Sequence, residues 1–219
     1  MVADGLSEEL AGLIASGCRD QRIDISAASV TKLTAYLRLL AQWNKVYNLT
    51  AIRDPRAMVH RHILDSLAVL PYINGPLLVD VGTGAGLPGL PLAIVKPELT
   101  VVCLDSSAKK LRFVQQVITE LDIDNAVTLH ARVEDHRPAT RYDQVISRAF
   151  TSLVDMHVLT RHLCAAGGQW LAMKGKNPLA ELDALRACGV APETIELFVA
   201  GLDENRHLVS WHLEKTQTL

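Results

Sequence analysis

Apolar residues in the first 70 positions recur at helical intervals. Between residues 26 and 47 they are Val30, Leu33, Leu37, Leu40 and Tyr47. This spacing of three or four residues predicts one helix over the range, with Ser26 or Ser29 as its N-cap. Weaker periodicity predicts a small helix at residues 6–14, and residues 63–70 complete a further helix. We therefore expect residues 1–70 to form a helical extension.

The pattern changes after residue 71, where short apolar runs alternate with stretches of helical periodicity. The predicted strands cover residues 77–81, 100–104, 127–129, 142–147 and 169–173, followed by an antiparallel hairpin of residues 194–199 and 208–213. The predicted helices begin near residue 87 and cover residues 106–121, 153–163 and 178–188, with a turn at residues 167–168. This alternation favours an α/β fold with a mainly parallel seven-stranded sheet and helices on both faces. Residues 71–219 are expected to form one compact unit.

Length and charge narrow the class of protein. The chain has 219 residues and a formal net charge of −2, which suits one α/β core with an extension and argues against unselective coating of nucleic acid. Its four cysteines are widely spaced, as expected for reduced thiols in a cytoplasmic protein. We expect no metal site, because His60 and His62 would point apart on a helix, and no membrane span.

A glycine-rich stretch follows the first predicted strand. Gly82, Gly84 and Gly86 alternate with small residues, so the backbone can take positive φ angles and a ligand can approach closely. A dinucleotide is one possible ligand, since Gly84, Gly86 and Gly89 have the G-x-G-x-x-G spacing. Asp80 favours another, because a carboxylate at the strand tip would repel a pyrophosphate and attract the ammonium or sulfonium group of S-adenosylmethionine.

A second acidic residue follows the second predicted strand. The number of residues that separates Asp105 from Gly82 is close to the separation at which an acidic residue on the second strand reaches a ribose diol. The alternative is a carboxylate that caps the following helix. Both roles can coexist, because Ser106 can cap that helix by itself.

Two further groups lie where predicted strands end. Open α/β sheets place their reacting groups at the carboxyl ends of strands, which makes Arg148 the best candidate for a functional arginine. The alternative is an ion pair with Asp143 or Asp155 that only fixes the loop. Val133 and Glu134 follow the third strand, where contacts to an adenine amino group are expected.

The most basic segment of the chain lies between residues 53 and 62. Its cationic or titratable members are Arg53, Arg56, His60, Arg61 and His62, opposed only by Asp54. Such a segment could contact the phosphates of a nucleic acid, or it could be a solvated face of the protein.

Together these segments resemble the class I methyltransferases and, more closely, the bacterial RsmG (GidB) family. The resemblance covers about residues 36–209, and its marks are Trp43-Asn44 with Asn48-Leu49-Thr50, His60-Arg61-His62 with Asp65-Ser66, residues 80–89, Asp105-Ser106 with Lys109-Lys110 and Phe113, Ser147-Arg148-Ala149, Lys174-Gly175 and Arg206-His207-Leu208. It implies a Rossmann-like class I S-adenosylmethionine-dependent methyltransferase fold. The implied activity is methylation of N7 of one guanosine in 16S ribosomal RNA.

The resemblance also implies a set of site residues. Around S-adenosylmethionine it places Gly82, Leu87, Val133, Glu134 and Arg148, with Asp105 at the ribose; the expected cofactor site is completed by Asp80, Thr83, Gly84, Gly86 and Ser106. Contacts to RNA are expected from Asn48, Arg53, His60, Arg61, Lys174 and Arg206. Arg148 is also the candidate catalytic residue, through positioning and electrostatics.

Guanine N7 carries a lone pair and no proton, so no general base is obligatory for its in-line methylation. The expected partner is 16S ribosomal RNA, the small ribosomal subunit or a precursor particle, and the expected oligomeric state is a monomer.

Two other functions stay open. One is a nicotinamide-linked oxidoreductase, which Asp80 disfavours; the other is a non-catalytic RNA- or ribosome-binding module, against which the intact glycines and Asp105 argue.

Overall fold

Seven strands form one sheet at the centre of the protein. In a computed structural model that describes residues 2–212, with side chains from residue 5 onward, the strands are β1 (Leu77–Val81), β2 (Thr100–Asp105), β3 (Ala126–His130), β4 (Tyr142–Arg148), β5 (Cys164–Lys174), β6 (Glu193–Leu197) and β7 (Arg206–His212). Their order is β3-β2-β1-β4-β5-β7-β6. The first five strands are parallel, and β7 is antiparallel to both β5 and β6. The predicted fold class is confirmed.

Helices cover both faces of this sheet and form the N-terminal extension. They are α1 (Val2–Asp20), α2 (Ala27–Tyr47), α3 (Pro55–Met58), α4 (Asp65–Leu67), α5 (Gly89–Val95), α6 (Ala108–Glu120), α7 (Leu153–Thr160) and α8 (Leu179–Ala187). A π-helical segment, Val59–Leu64, joins α3 to α4, and Leu70–Tyr72 form a 3-10 turn. No helix within residues 2–212 is both long and apolar enough to cross a membrane.

The extension shares a hydrophobic core with one face of the sheet. Leu33 and Leu37 of α2 belong to the same buried cluster as Leu78 of β1 and Phe113 of α6. Successive residues of a strand point to opposite faces, so Val79 instead joins a second cluster with α7 and α8. The extension is therefore packed on the face of the sheet that includes Leu78 of β1, the strand that precedes the glycine-rich stretch.

Several boundaries differ from the predicted ones. The predicted turn at residues 167–168 is wrong, because both glycines lie inside β5, where an irregularity in its pairing with β4 accommodates them. Helix α5 begins at Gly89, since residues 82–88 are used to form a tight turn. Helix α1 extends to Asp20, and the helix expected through residue 70 ends at Leu67. The predicted final strand is confirmed as far as His212, whereas Leu213 lies outside the described residues.

Candidate functional site at the carboxyl edge of the sheet

The glycine turn, residues 82–88, leads from β1 into α5. Gly82, Gly84 and Gly86 have φ angles of 70°, 61° and 88°, which residues with side chains rarely adopt. The amide nitrogen of Gly82 donates a hydrogen bond to the carbonyl of Leu104 at 2.8 Å, and that of Gly86 to the carbonyl of Thr83 at 2.9 Å. The turn is therefore tied to β2 and curled back on itself.

Only two glycines of the motif face open space. A Cβ atom at Gly82 would meet nothing within 4 Å, and one at Gly84 would meet only a backbone oxygen at 3.9 Å. By contrast, a Cβ at Gly86 would lie 2.6 Å from Leu90, and one at Gly89 would lie 2.9 Å from Asp80. Gly82 and Gly84 leave room for a ligand, whereas Gly86 and Gly89 permit the close packing of the turn on α5 and β1.

Asp80 lies underneath the glycine turn. Its Oδ2 accepts hydrogen bonds from the Thr83 hydroxyl at 2.6 Å and from the Gly89 amide at 2.9 Å, while its Oδ1 is buried without a partner. Burial raises the pKa of this carboxyl group to about 6, against the lowering effect of both hydrogen bonds and of Arg148. Asp80 and Thr83 thus shape the turn from below.

Asp105 joins the glycine turn to the start of α6. Its Oδ2 accepts from the Gly84 amide at 2.9 Å, its Oδ1 accepts from the Ser107 amide at 2.8 Å, and the ammonium group of Lys110 is 4.0 Å away. Each oxygen keeps capacity for a further donor such as a hydroxyl group. Ser107 caps α6, so the prediction that Ser106 would cap it is wrong; Ser106 lies exposed beside the turn.

The adjoining cofactor candidates differ in exposure. Leu87 and Val133 have buried side chains, at 3% and 8% exposure. Glu134 is exposed after β3, next to the strand that ends at Asp105.

A tyrosine of the extension supports the glycine turn, and the sequence analysis missed it. The hydroxyl group of Tyr36 in α2 donates to the carbonyl oxygen of Ala85 at 2.9 Å. Its ring is fully buried and lies 6.1 Å from that of Phe113, measured between centroids. Burial raises the pKa of the phenol, so the donor proton is retained. The available signal was the position of Tyr36, four residues before Leu40 and seven before Trp43, on the apolar face of the helix.

Arg148 is the last residue of β4, on the strand that pairs with β1. Its Nη1 donates to the carbonyl of Arg61 at 3.1 Å and to Asp65 Oδ2 at 3.3 Å. The alternative pairing with Asp143 or Asp155 is wrong: Asp143 accepts from the Leu77 amide, and Asp155 from the Thr151 hydroxyl. Ala149 follows with a φ of 64°, an uncommon conformation for a residue with a side chain.

Asp65 is the centre of a charged network that the sequence did not reveal. Its carboxylate is buried and also accepts from Arg206 Nε at 2.9 Å. Arg206 in turn contacts Glu204 at 3.1 Å, and Arg61 holds Glu204 from the other side. The π-helical segment, β4 and β7 are thereby joined at one point. Such π-helical segments are frequently found at functional sites.

The six predicted RNA contacts fall into two groups. Arg53 and Asn48 are exposed, and a long hydrogen bond of 3.5 Å joins them. The other four hold neighbouring segments of the protein, namely His60 on the Ala200 carbonyl, Arg61 on Glu204, Lys174 on Glu181 and Arg206 on Asp65.

The last two candidates are His62 and a possible metal site. His62 is buried beside the Thr50 hydroxyl, and desolvation lowers the pKa of its imidazole to about 4, so it is neutral. Among residues 5–212 no three His, Cys, Asp or Glu side chains are placed to hold a metal ion.

This edge, with a glycine turn open above β1 and an acidic residue ending β2, has the architecture of the class I S-adenosylmethionine-dependent methyltransferases. An S-adenosylmethionine-dependent methyltransferase from Aquifex aeolicus superposes with a TM-score of 0.58 at 15% identity, covering 76% of this chain and 97% of that one. A tRNA (m1A58) methyltransferase from Aquifex aeolicus gives a TM-score of 0.57 at 12% identity, covering 70% and 69%.

The family follows from the sequence comparisons. The model of the GidB family, described as rRNA small subunit methyltransferase G, matches residues 29–209, and the chain belongs to this family. A ribosomal RNA small subunit methyltransferase G from Methylobacillus flagellatus is 50% identical over 195 residues, which are 89% of this chain and 94% of the relative. The protein of that name from Pseudomonas syringae is 47% identical over 196 residues, covering 90% and 92%.

Proposed function

We propose that this protein methylates N7 of one guanosine in 16S ribosomal RNA, with S-adenosylmethionine as the methyl donor. Membership of the family supports the broader activity, methylation of small-subunit ribosomal RNA. The observation that carries the proposal is the juxtaposition on one edge of an open glycine turn after β1 and a positioned arginine at the end of the paired strand β4.

The residues of the glycine turn fit the cofactor. Gly82 and Gly84 leave uncovered backbone against which a ligand can lie, and Asp105 retains acceptor sites for the ribose hydroxyl groups. Beneath the turn, the unpartnered Oδ1 of Asp80 supplies buried negative charge near the position expected for a sulfonium or ammonium group. Val133 and Glu134 are the candidates for contacts with the adenine.

The chemistry requires little proton transfer from the protein. When bound, S-adenosylmethionine supplies a methyl group attached to a positively charged sulfur atom, and the bond between them would break on transfer to leave a neutral thioether. Guanine N7 can accept this group with its in-plane lone pair, and positive charge then develops on the imidazole ring of the base. The protein's task is to align the base and to stabilise that charge.

Arg148 and its carboxylate neighbours serve this task. Asp65 and the carbonyl of Arg61 fix the guanidinium group, which then orients the cofactor's methionine end or the edge of the base. Asp80 interacts electrostatically with Arg148 and adds negative charge below the turn. The positive charge of the guanidinium group is therefore balanced by nearby carboxylates. A uniformly positive site would destabilise a base that becomes cationic.

RNA reaches the edge from the exposed side. Arg53 and Asn48 are accessible to phosphates, and the target base must lie in a loop or leave its stack to enter the site. The modest net charge of −2 indicates that recognition depends on local contacts and shape, in naked RNA or in a particle.

The direct test starts from small ribosomal subunits and 16S RNA of a strain that lacks its own enzyme for this modification. The protein and S-adenosylmethionine carrying a labelled methyl group are added, and the RNA is digested to nucleosides. We expect label in 7-methylguanosine. Label in another nucleoside would replace the N7 assignment, and no transfer to any substrate would reject the proposed activity.

A further inference from the structure

A groove whose lining residues are mostly charged or amide-bearing lies beside the site, along the same edge of the sheet. Its volume is about 750 Å³, and its lining includes Gly175, Lys176, Asn177, Glu196, Asn205 and His207. We call this surface the β5–β7 groove. The volume falls within the ~300–1,000 Å³ typical of sites for small molecules and cofactors. The groove is therefore large enough to receive one nucleotide.

The strand register places the groove next to Arg148. Arg148 of β4 is opposite Met173 of β5, and Met173 is opposite Leu208 of β7. Adjacent strands are about 4.8 Å apart, so β7 lies about 10 Å from β4. A base held at Arg148 would thus have its neighbour in the RNA strand near the β5–β7 groove.

Four polar side chains in the groove have no protein partner among residues 5–212. Within the described part of the chain, the side chains of Lys176, Asn177, Glu196 and Asn205 form no hydrogen bond or ion pair, and all four are exposed. His207 is only 7% exposed, and its Nδ1 is buried without a partner. Buried polar atoms are normally satisfied, so an orphaned one in the wall of a groove indicates a missing ligand or water.

The charges favour a base over a bare phosphate. Two cations, Lys176 and Arg206, are balanced by Glu196 and Glu204 in the same lining, and Arg206 is already paired with Glu204. A phosphate group bound in the groove would therefore find no net positive charge there. Amide groups and a free carboxylate instead match the mixed donors and acceptors of a base edge, as in the recognition of unstacked bases in single-stranded RNA.

We propose that the β5–β7 groove binds the nucleotide next to the methylated guanosine and reads its base through hydrogen bonds. The inference rests on the proposed function. Glu196 accepts a hydrogen bond from an exocyclic amino group, which adenine, guanine and cytosine carry and uracil lacks. Arg206 forms part of the groove and shares Asp65 with Arg148, so the groove is physically joined to the site of methyl transfer.

The first test removes the free polar groups. In the variant Lys176→Ala/Asn177→Ala/Asn205→Ala, the KM for small subunits rises about tenfold, the equivalent of one or two lost hydrogen bonds. The affinity for S-adenosylmethionine is unchanged. The matched control is Arg141→Ala/Asn74→Ala, which removes an exposed cation and an exposed amide at the opposite edge of the sheet, just before β4 and β1. Its KM stays at the wild-type value.

A second variant fills the groove without disturbing the backbone. Gly175 has a φ outside the left-handed region, and a Cβ there would meet only Arg206 Nη1, at 4.0 Å. Gly175→Leu therefore folds normally and raises the KM as the triple variant does. Unchanged KM values in both variants, with normal transfer by the wild-type protein, would overturn the proposal.

Photo-crosslinking identifies the occupant. A benzoylphenylalanine at position 177, irradiated with small subunits, is expected to react with a nucleotide within one or two positions of the methylated guanosine, whereas the same group at position 74 gives no such product. Reaction with a ribosomal protein, with a distant RNA segment or with nothing would contradict the inference. Failure of the proposed function is recognised separately, because wild-type protein would then form no 7-methylguanosine.

Discussion

The carboxyl edge of the sheet has two halves that are built differently. In the half around β1 and β2, which we propose binds the cofactor and call the cofactor half, carboxylates accept hydrogen bonds from backbone groups close in the chain. Asp80 and Asp105 reach Gly89 and Gly84, 9 and 21 residues away. In the half around β4, β5 and β7, which we propose binds the RNA and call the substrate half, charged side chains pair over long separations in the chain. Arg148 and Arg206 meet Asp65 across 83 and 141 residues.

The two halves of this edge are therefore held together by different interactions. The cofactor half depends on backbone geometry and buried hydrogen bonds, which salt hardly affects. The substrate half depends on ion pairs, and its outer members, such as Arg61 with Glu204, are partly exposed and open to screening. We expect changes in the first half to alter cofactor affinity and changes in the second to alter methyl transfer.

The largest effect is expected from Gly82→Leu. A side chain at this position enters the space left for the cofactor, and S-adenosylmethionine affinity falls by about 100-fold, as for an overpacked site. Gly189→Leu is the matched control, because Gly189 also has a positive φ and open surroundings. Both variants lose about 1–2 kcal/mol of stability to backbone strain. Calorimetry would contradict the assignment if both bound the cofactor equally.

Arg148→Ala should lower kcat/KM for methyl transfer by about 100-fold, since the guanidinium group that orients the cofactor or the base is lost. Arg148→Lys keeps the charge without the fork of donors and recovers only part of the activity. Arg186→Ala, which removes an exposed arginine of α8, is the control. Wild-type kinetics in Arg148→Ala would assign this arginine to structure alone.

Asp65→Asn tests the long-range network. The amide cannot balance both Arg148 and Arg206, so kcat is expected to fall about tenfold while cofactor affinity stays within about twofold. Glu204→Gln alters the exposed outer member of the same network and should have a smaller effect on kcat. A parallel loss of cofactor affinity in Asp65→Asn would remove the distinction between the two halves.

The pH dependence of cofactor binding tests Asp80. Its folded-state pKa is raised to about 6 from 3.8, so its contribution to stability is present below pH 3.8 and is lost as the pH rises through about 6. The ionised form attracts a sulfonium, so S-adenosylmethionine affinity should rise by up to about tenfold between pH 5 and 7. Asp80→Asn should flatten this rise in calorimetric titrations. If the wild-type affinity for S-adenosylmethionine did not change between pH 5 and 7, ionisation of Asp80 would not be coupled to cofactor binding.

The smallest effect is expected where the extension supports the glycine turn. Tyr36→Phe removes one buried hydrogen bond to Ala85, which costs about 0.5–1.5 kcal/mol and lowers cofactor affinity about two- to fivefold. Tyr72→Phe removes a hydroxyl group that has no hydrogen-bond partner among residues 5–212, and it should leave the affinity unchanged. Equal cofactor affinities in the two variants would show that the hydrogen bond from the extension does not support cofactor binding.

The two halves also differ in how far the sequence predicts them. Glycine spacing, an apolar strand and an acidic residue at the next strand end are local features, and they predicted the turn, β1, β2 and the edge that carries the site. A helix cap depends on a single residue, and the local pattern does not distinguish Ser106 from Ser107, which caps α6.

The substrate half could not be derived in the same way. Whether Arg148 pairs with Asp143, Asp155 or Asp65 is decided by the path of the π-helical segment, which no local pattern encodes. The support of Ala85 by Tyr36 likewise depends on how α2 crosses the turn. Family resemblance supplied Arg206 as a candidate, but its link to Asp65 required the structure.

The most direct test of the central claim is to locate the transferred methyl group in intact 16S RNA. RNA treated with the protein and S-adenosylmethionine is reduced with borohydride and exposed to aniline, which cleaves the strand only where guanosine carries an N7 methyl group. We predict one new cleavage site with the wild-type protein and none with Gly82→Leu. Methylated RNA that resists cleavage would show that another atom accepts the methyl group, and would contradict the account.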